Sequence, residues 1–269
     1  MATDNPMRAR RNRKLIAGRR LWCRATYAAL AFSALPVFAQ APQPAPSSNP
    51  EAQPAQILLL PAPPRFLVVL DAAHGGNDSG AKLSDGENEK AVTLAFSVRL
   101  RSLLAARGIQ VVTTREEDRN LTPSERAEVA NRAGAQACIS LHAAESGYGV
   151  HIFASSLTPL SPTQSGARFA AWKTAQSASI SRSLALAGVL NSALNQAGIN
   201  VTLSRTTLPG IDSMTCPAIV LELAPERDTS HKIVSEPGSA DYQARIAQTI
   251  AAALLQWKTA EWKTEAQQP

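Results

Sequence analysis

Cysteine is scarce in this chain: three residues in 269, at positions 23, 138 and 216. No CxxC pair occurs, so a thiol-ligated structural metal and a thioredoxin-type redox site both lack their ligands. Cys138 and Cys216 lie in the apolar runs ACISLH and TCPAIVLEL and read as two buried free thiols. A disulfide in an oxidising compartment is the alternative, because sequence spacing does not place two Cα atoms within bonding range. The GxSxG elbow, the phosphate-binding loop and the dinucleotide fingerprint are also missing, which removes support for a serine hydrolase, an NTPase or a dehydrogenase. No apolar run reaches the roughly 20 residues that cross a bilayer.

Positive charge is plentiful, with 27 basic against 21 acidic residues and a net charge of +6, but it is unevenly placed. Eight of the basic residues (Arg8, Arg10, Arg11, Arg13, Lys14, Arg19, Arg20 and Arg24) fall within residues 1–39, beside the single acid Asp4. The remainder holds 19 basic and 20 acidic residues, so a nucleic-acid surface is set aside. The same N-terminus continues into ATYAALAFSALPVFA and small residues before Gln40, the layout of an export signal over residues 1–39. An uncleaved N-terminal anchor is the alternative, and no cysteine follows the apolar stretch to carry a lipid. Residues 40–64 are proline-rich and nearly uncharged, an extended linker. The folded domain is expected over residues 65–265, exported to the periplasm or secreted, with no stable membrane span after signal cleavage.

Within that domain, short apolar runs alternate with helical patterns. FLVVLD (66–71), IQVVTT (109–114), ACISLH (137–142) and AIVLEL (218–223) read as strands buried on both faces. Helices are expected over about 88–107, from Thr122 to Gly134, over about 177–196 and over about 240–262. Thr122-Pro123-Ser124-Glu125 is a capping box with proline at the first helical position, and Gly108 and Gly134 suit helix ends. The alternation predicts a three-layer α/β sandwich with a twisted, mostly parallel sheet of about six strands. In such sheets, ligands bind beyond the carboxyl ends of the strands.

That rule singles out a small set of residues. His74 follows the first strand, His142 ends the third run, and Glu222 falls near the end of AIVLEL. Glu89 opens the first long helix. Two imidazoles and a carboxylate with a fourth position open form the ligand set of a catalytic zinc site. Glu222 lies among Ile219, Val220, Leu221 and Leu223, so its carboxylate needs a partner that a metal centre would supply.

The motifs then fall in a recognisable order. LDAAHGGNDSGA (70–81) resembles the DPGHGGxDxGA opening of the zinc-dependent N-acetylmuramoyl-L-alanine amidases, the amidase 3 family. Glu89-Lys90 resembles the family's dipeptide at the head of its first helix, and TTREEDRNLTPSERAEVAN (113–131) its arginine–aspartate turn and following helix. ISLHA resembles its second histidine segment and PAIVLEL its final glutamate strand. The likeness runs from about Phe66 to Trp257. It implies that His74, Glu89 and His142 hold Zn²⁺, that Glu222 is the general base, and that the partner is peptidoglycan. The bond implied is the amide joining N-acetylmuramic acid to L-alanine.

Several positions depart from the family pattern. Ala72-Ala73 replace proline–glycine, Ala143-Ala144 stand where an asparagine is usual, and LAPERDT follows the base in place of a glycine–phenylalanine–x–serine–asparagine segment. His151 occupies a position where glutamate is common. These changes leave open a non-catalytic peptidoglycan-binding relative, or a zinc hydrolase of the same fold that cuts another bond. The segment 155–178 is too short for a blocking helical insertion, so the groove is expected to be open. Arg115 and Asp118 are expected to fix a turn by pairing with each other or with Arg126, Trp172 to be half-buried packing, and His231 to be solvated.

Overall fold

The computed structural model describes residues 65–160 and 171–265. The expected export signal (1–39) and the whole of the expected linker (40–64) therefore lie outside the described residues, as does part of the segment on which the open-groove expectation rests. Four strands and four helices stand where the sequence pattern puts them. β1 (Leu67–Ala72) leads to α1 (Glu89–Ala105), β2 (Gln110–Thr113), α2 (Pro123–Ala133) and β3 (Ala137–Ala143). β4 (Val150–Ser155), α3 (Ile180–Gln196), β5 (Val201–Thr206), β6 (Ala218–Leu223) and α4 (Ala240–Glu265) complete the main layers. A short hairpin, β7 (Glu226–Arg227) and β8 (Ile233–Ser235), is inserted before α4.

The six main strands form one sheet in the order β2-β1-β3-β6-β4-β5. All neighbours are parallel except β4 and β6, which run antiparallel. Side chains alternate across this sheet into two apolar layers. Val68, Leu70, Ile139 and Leu221 pack with Phe96, Leu190 and Ile250 from α1, α3 and α4. Val69, Cys138 and Val220 face the opposite way, toward Ala127, Ala130, Ile211 and Met214. The expected three-layer sandwich is the observed one.

Local signals behave as their chemistry dictates. The Thr122 hydroxyl accepts from the Glu125 N–H while the Glu125 carboxylate accepts from the Thr122 N–H, and Gly134 closes α2 in the left-handed conformation. The thiols do not remain free. Cys138 and Cys216 form a disulfide with Cα atoms 6.1 Å apart. Parallel pairing of β3 and β6 sets Cys138 against Ala218 and lets its N–H donate to the Pro217 carbonyl, which brings Cys216 alongside. The cross-link ties the amino end of the sheet, opposite the rim that carries the histidines. Among the described residues, no helix is long and apolar enough to cross a membrane.

Candidate active site and metal centre

β1 ends at Ala72 and the chain turns at once through His74 (φ 60°), Gly75 and Gly76 (φ 133° and 61°). A left-handed histidine is unfavourable and persists only where its surroundings impose it. Two buried guanidinium groups do so here. Arg115 donates to the carbonyls of Ala72 and Ala73, and Arg126 to those of Ala72 and His74. Arg126 is itself fixed by Asp71 at 2.6 Å, and Asp71 also accepts from Thr114 and Ser140. A Cβ at Gly75 would come within 2.3 Å of the Arg119 carbonyl, so the tight turn requires glycine.

The turn delivers the His74 ring to Glu89. Glu89 begins α1, where the helix amino end favours a carboxylate, and it is buried. Its Oε2 lies 3.1 Å from His74 Nε2 and accepts from the Ala81 N–H. Its Oε1 lies 2.8 Å from His142 Nδ1 and accepts from the Ala143 N–H. Ligand-capable atoms of His74, Glu89 and His142 all lie within 4.8 Å of one another. The two imidazole rings meet edge-on, with centroids 5.3 Å apart. A Cβ at Gly80 would fall 2.6 Å from Glu89 Oε2 and 2.7 Å from the His74 ring, so glycine leaves room for the cluster.

The electrostatics favour positive charge here. The hydrogen bond to Glu89 raises the His74 imidazole above its ordinary pKa; burial opposes this and Asp78 adds to it. Burial pushes the Glu89 carboxyl up, but hydrogen bonds from His142 and His74 together outweigh it and hold the group well below the usual carboxylate range. Two imidazoles, one buried carboxylate and an open side fit a divalent cation of the zinc type.

Glu222 stands apart from this triad but on the same rim. Register pairs it with His142 on β3 and with His151 on β4, so three side chains line up across three strands. Its Oε1 lies 2.8 Å from His151 Nδ1. His74, His142 and Glu222 open on one groove of about 390 Å³, whose far wall is apolar, with Phe153, Leu208 and Met214.

A scan against family models matches residues 68–256 to N-acetylmuramoyl-L-alanine amidase. The chain belongs to the amidase 3 family. Among curated proteins it is similar to the N-acetylmuramoyl-L-alanine amidase AmiA of Escherichia coli (strain K12), 42% identical over 77 residues. That match covers 29% of this chain and 27% of AmiA, so the chain matches about a quarter of that relative's length. The amidase Rv3717 of Mycobacterium tuberculosis is 30% identical over 177 residues, covering 64% of this chain and 69% of that protein. Among solved structures, the amidase AmiC2 of Nostoc punctiforme superposes with a TM-score of 0.54 at 25% identity, covering 72% of this chain and 97% of that one.

The structure brings His74, Glu89 and His142 together and sets Glu222 beside His142 on the groove. Glu87, two residues before Glu89, is exposed, and its carboxylate lies against Gly238. Sequence reasoning left Asp78 without a role. Its carboxylate holds His74 Nδ1 at 2.8 Å, which turns Nε2 toward Glu89. Asp78 lies in the HGGND stretch, but its position in the sequence does not say which group it orients. The turn after β2 is held by partners other than those expected. Asp118 pairs with Lys90 at 2.7 Å and accepts from the Gly76 N–H, while Arg115 spends its donors on carbonyls. The hydrogen bond from Lys90 holds the Asp118 carboxyl below its ordinary pKa, with the Gly76 N–H adding to it. Trp172 is 46% exposed, and His231 is exposed in a loop. The LAPERDT departure is accommodated by the β7–β8 hairpin, whose Arg227 donates to the Gly147 carbonyl.

Proposed function

We propose that this protein hydrolyses the amide between the lactyl group of N-acetylmuramic acid and L-alanine in peptidoglycan. In this reading His74, Glu89 and His142 hold zinc, and Glu222 is the general base. The observation that carries it is the arrangement on the rim: His74 and His142 meet the buried Glu89 and, with Glu222 from a separate strand, open on one groove. Zinc bound by such a set acts as a Lewis acid on the scissile carbonyl and makes water a stronger acid near neutral pH.

The protein's own residues do the rest. Asp78 fixes the His74 ring, and the Ala81 and Ala143 N–H groups fix the Glu89 carboxylate, so the ligand set is held before substrate arrives. Glu222 takes a proton from the attacking water and passes it to the departing alanine nitrogen. The apolar wall of Phe153, Leu208 and Met214 sheds water from the groove and offers contact to the methyl-bearing parts of the substrate.

Residues 1–39 would direct export, residues 40–64 would tether, and residues 65–265 would form the catalytic domain. The Cys138–Cys216 disulfide suits an oxidising, extracytoplasmic compartment, where peptidoglycan lies. The test is product identification by mass spectrometry after incubation with peptidoglycan and zinc. Free stem peptides beginning at L-alanine support the reading. Fragments cut elsewhere would move the scissile bond and contradict it.

A further inference from the structure

β6 is flanked on one side by β3 and on the other by β4, and the register sets His142, Glu222 and His151 in a single row. Glu222 has one neighbour assigned to the metal. The other neighbour, His151, has no role in the reaction as described so far. Its Nδ1 lies 2.8 Å from Glu222 Oε1. An ionised carboxylate only accepts hydrogen bonds, so the proton of a neutral His151 must sit on Nδ1. The ring is confined on its other sides. Phe153 meets it edge-on with centroids 6.3 Å apart, and a Cβ at Gly147 would come within 2.4 Å of its Cε1. Gly147, at φ 88°, thus lets the backbone pass over the imidazole. Both partners are largely sheltered, with side chains 19% and 26% exposed.

The chemistry of the pair bears on what a base requires. A glutamate side chain has several rotamers of similar energy, and holding one of them costs entropy. A charge-assisted bond to a ring that cannot move removes that freedom and leaves Oε2 for proton transfer. The family commonly has glutamate at this position. A glutamate here would face Glu222 with a second carboxylate and would need a shared proton, whereas a neutral imidazole donates without one.

We propose that His151 is a positioning residue, whose Nδ1–H holds Glu222 in the orientation from which it exchanges protons with the attacking water and the leaving amine. The proposal rests on the reading of Glu222 as the base.

Two substitutions separate hydrogen bonding from bulk. His151→Asn keeps an N–H donor close to the Nδ1 position, and His151→Leu keeps volume without a donor. With peptidoglycan fragments as substrate, His151→Leu should lower kcat about tenfold or more with KM changed by less than about twofold. His151→Asn should recover most of the lost kcat. Equal loss in both variants, or a loss confined to KM, would overturn the positioning role. A second readout needs neither zinc nor turnover. Nitrogen-15 NMR of the full chain near pH 8 should find the His151 ring protonated at Nδ1, and protonation at Nε2 would overturn the assignment. An inactive wild type would instead bring down the amidase reading and this role with it. An active wild type matched by His151→Leu would bring down this inference alone.

Discussion

At the residue scale, the site is built by short, directional contacts around a strained turn. His74 holds a left-handed backbone because Arg115 and Arg126 together occupy the carbonyls of residues 72–74. Those same carbonyls follow or flank Ala72-Ala73, where the family has proline–glycine, so arginine donors stabilise a turn that Pro-Gly would pre-form. The proposed metal ligands stand out in the sequence because each lies at or near a strand or helix end, where a polar side chain in an apolar context has to be explained. Asp78 was not legible in the same way. It lies in an exposed turn, and only the 2.8 Å contact with His74 Nδ1 reveals what it orients. Asp78→Ala should therefore weaken zinc binding roughly 10- to 100-fold while leaving the fold intact. Competition with a chromophoric chelator would measure it, and an unchanged affinity would remove Asp78 from the site.

At the element scale, capping and pairing connect stability to the site. α2 starts on the Thr122–Glu125 capping box and carries Arg126 in its first turns, so a frayed α2 would release the guanidinium that braces His74. Thr122→Ala should cost about 1 kcal/mol in urea unfolding. A value near zero would mean that α2 is held by its packing alone. The disulfide joins β3 to the segment entering β6 across a sequence separation of 78 residues. Replacing both cysteines with serine should lower stability by roughly 4 kcal/mol on the chain-entropy account, as read by chemical denaturation. No change would show that strand pairing already restricts the unfolded chain. This cross-link could not be read from the sequence, because it depends on which strands become neighbours. β5 was also hard to read: Val201–Thr206 is a largely exposed edge strand with little apolar alternation. β4 hid for another reason, since VHIF puts a histidine in a strand whose partner, β6, runs the opposite way.

At the scale of the whole molecule, the sheet acts as a frame that brings sequence-distant chemistry to one edge. Layer order, the helices and the central strands follow from periodicity, because burial on both faces leaves an unbroken apolar run in the sequence. IQVVTT gives a strand but not its expected burial, since β2 lies at the sheet edge and is half-exposed. What periodicity does not carry is the register, and the row His142–Glu222–His151 is a product of register. The division of labour between the triad and Glu222 is the central claim, and turnover per mole of bound zinc tests it most directly. It would be measured on wild type, Glu222→Ala and His142→Ala prepared alike, with zinc and released L-alanine-terminated peptides quantified on the same samples. Wild type should bind zinc and turn over. Glu222→Ala should bind zinc as fully yet lose at least about a hundredfold in rate, and His142→Ala should lose both. A Glu222→Ala protein that sheds its zinc, or that turns over normally with zinc in place, would contradict the account.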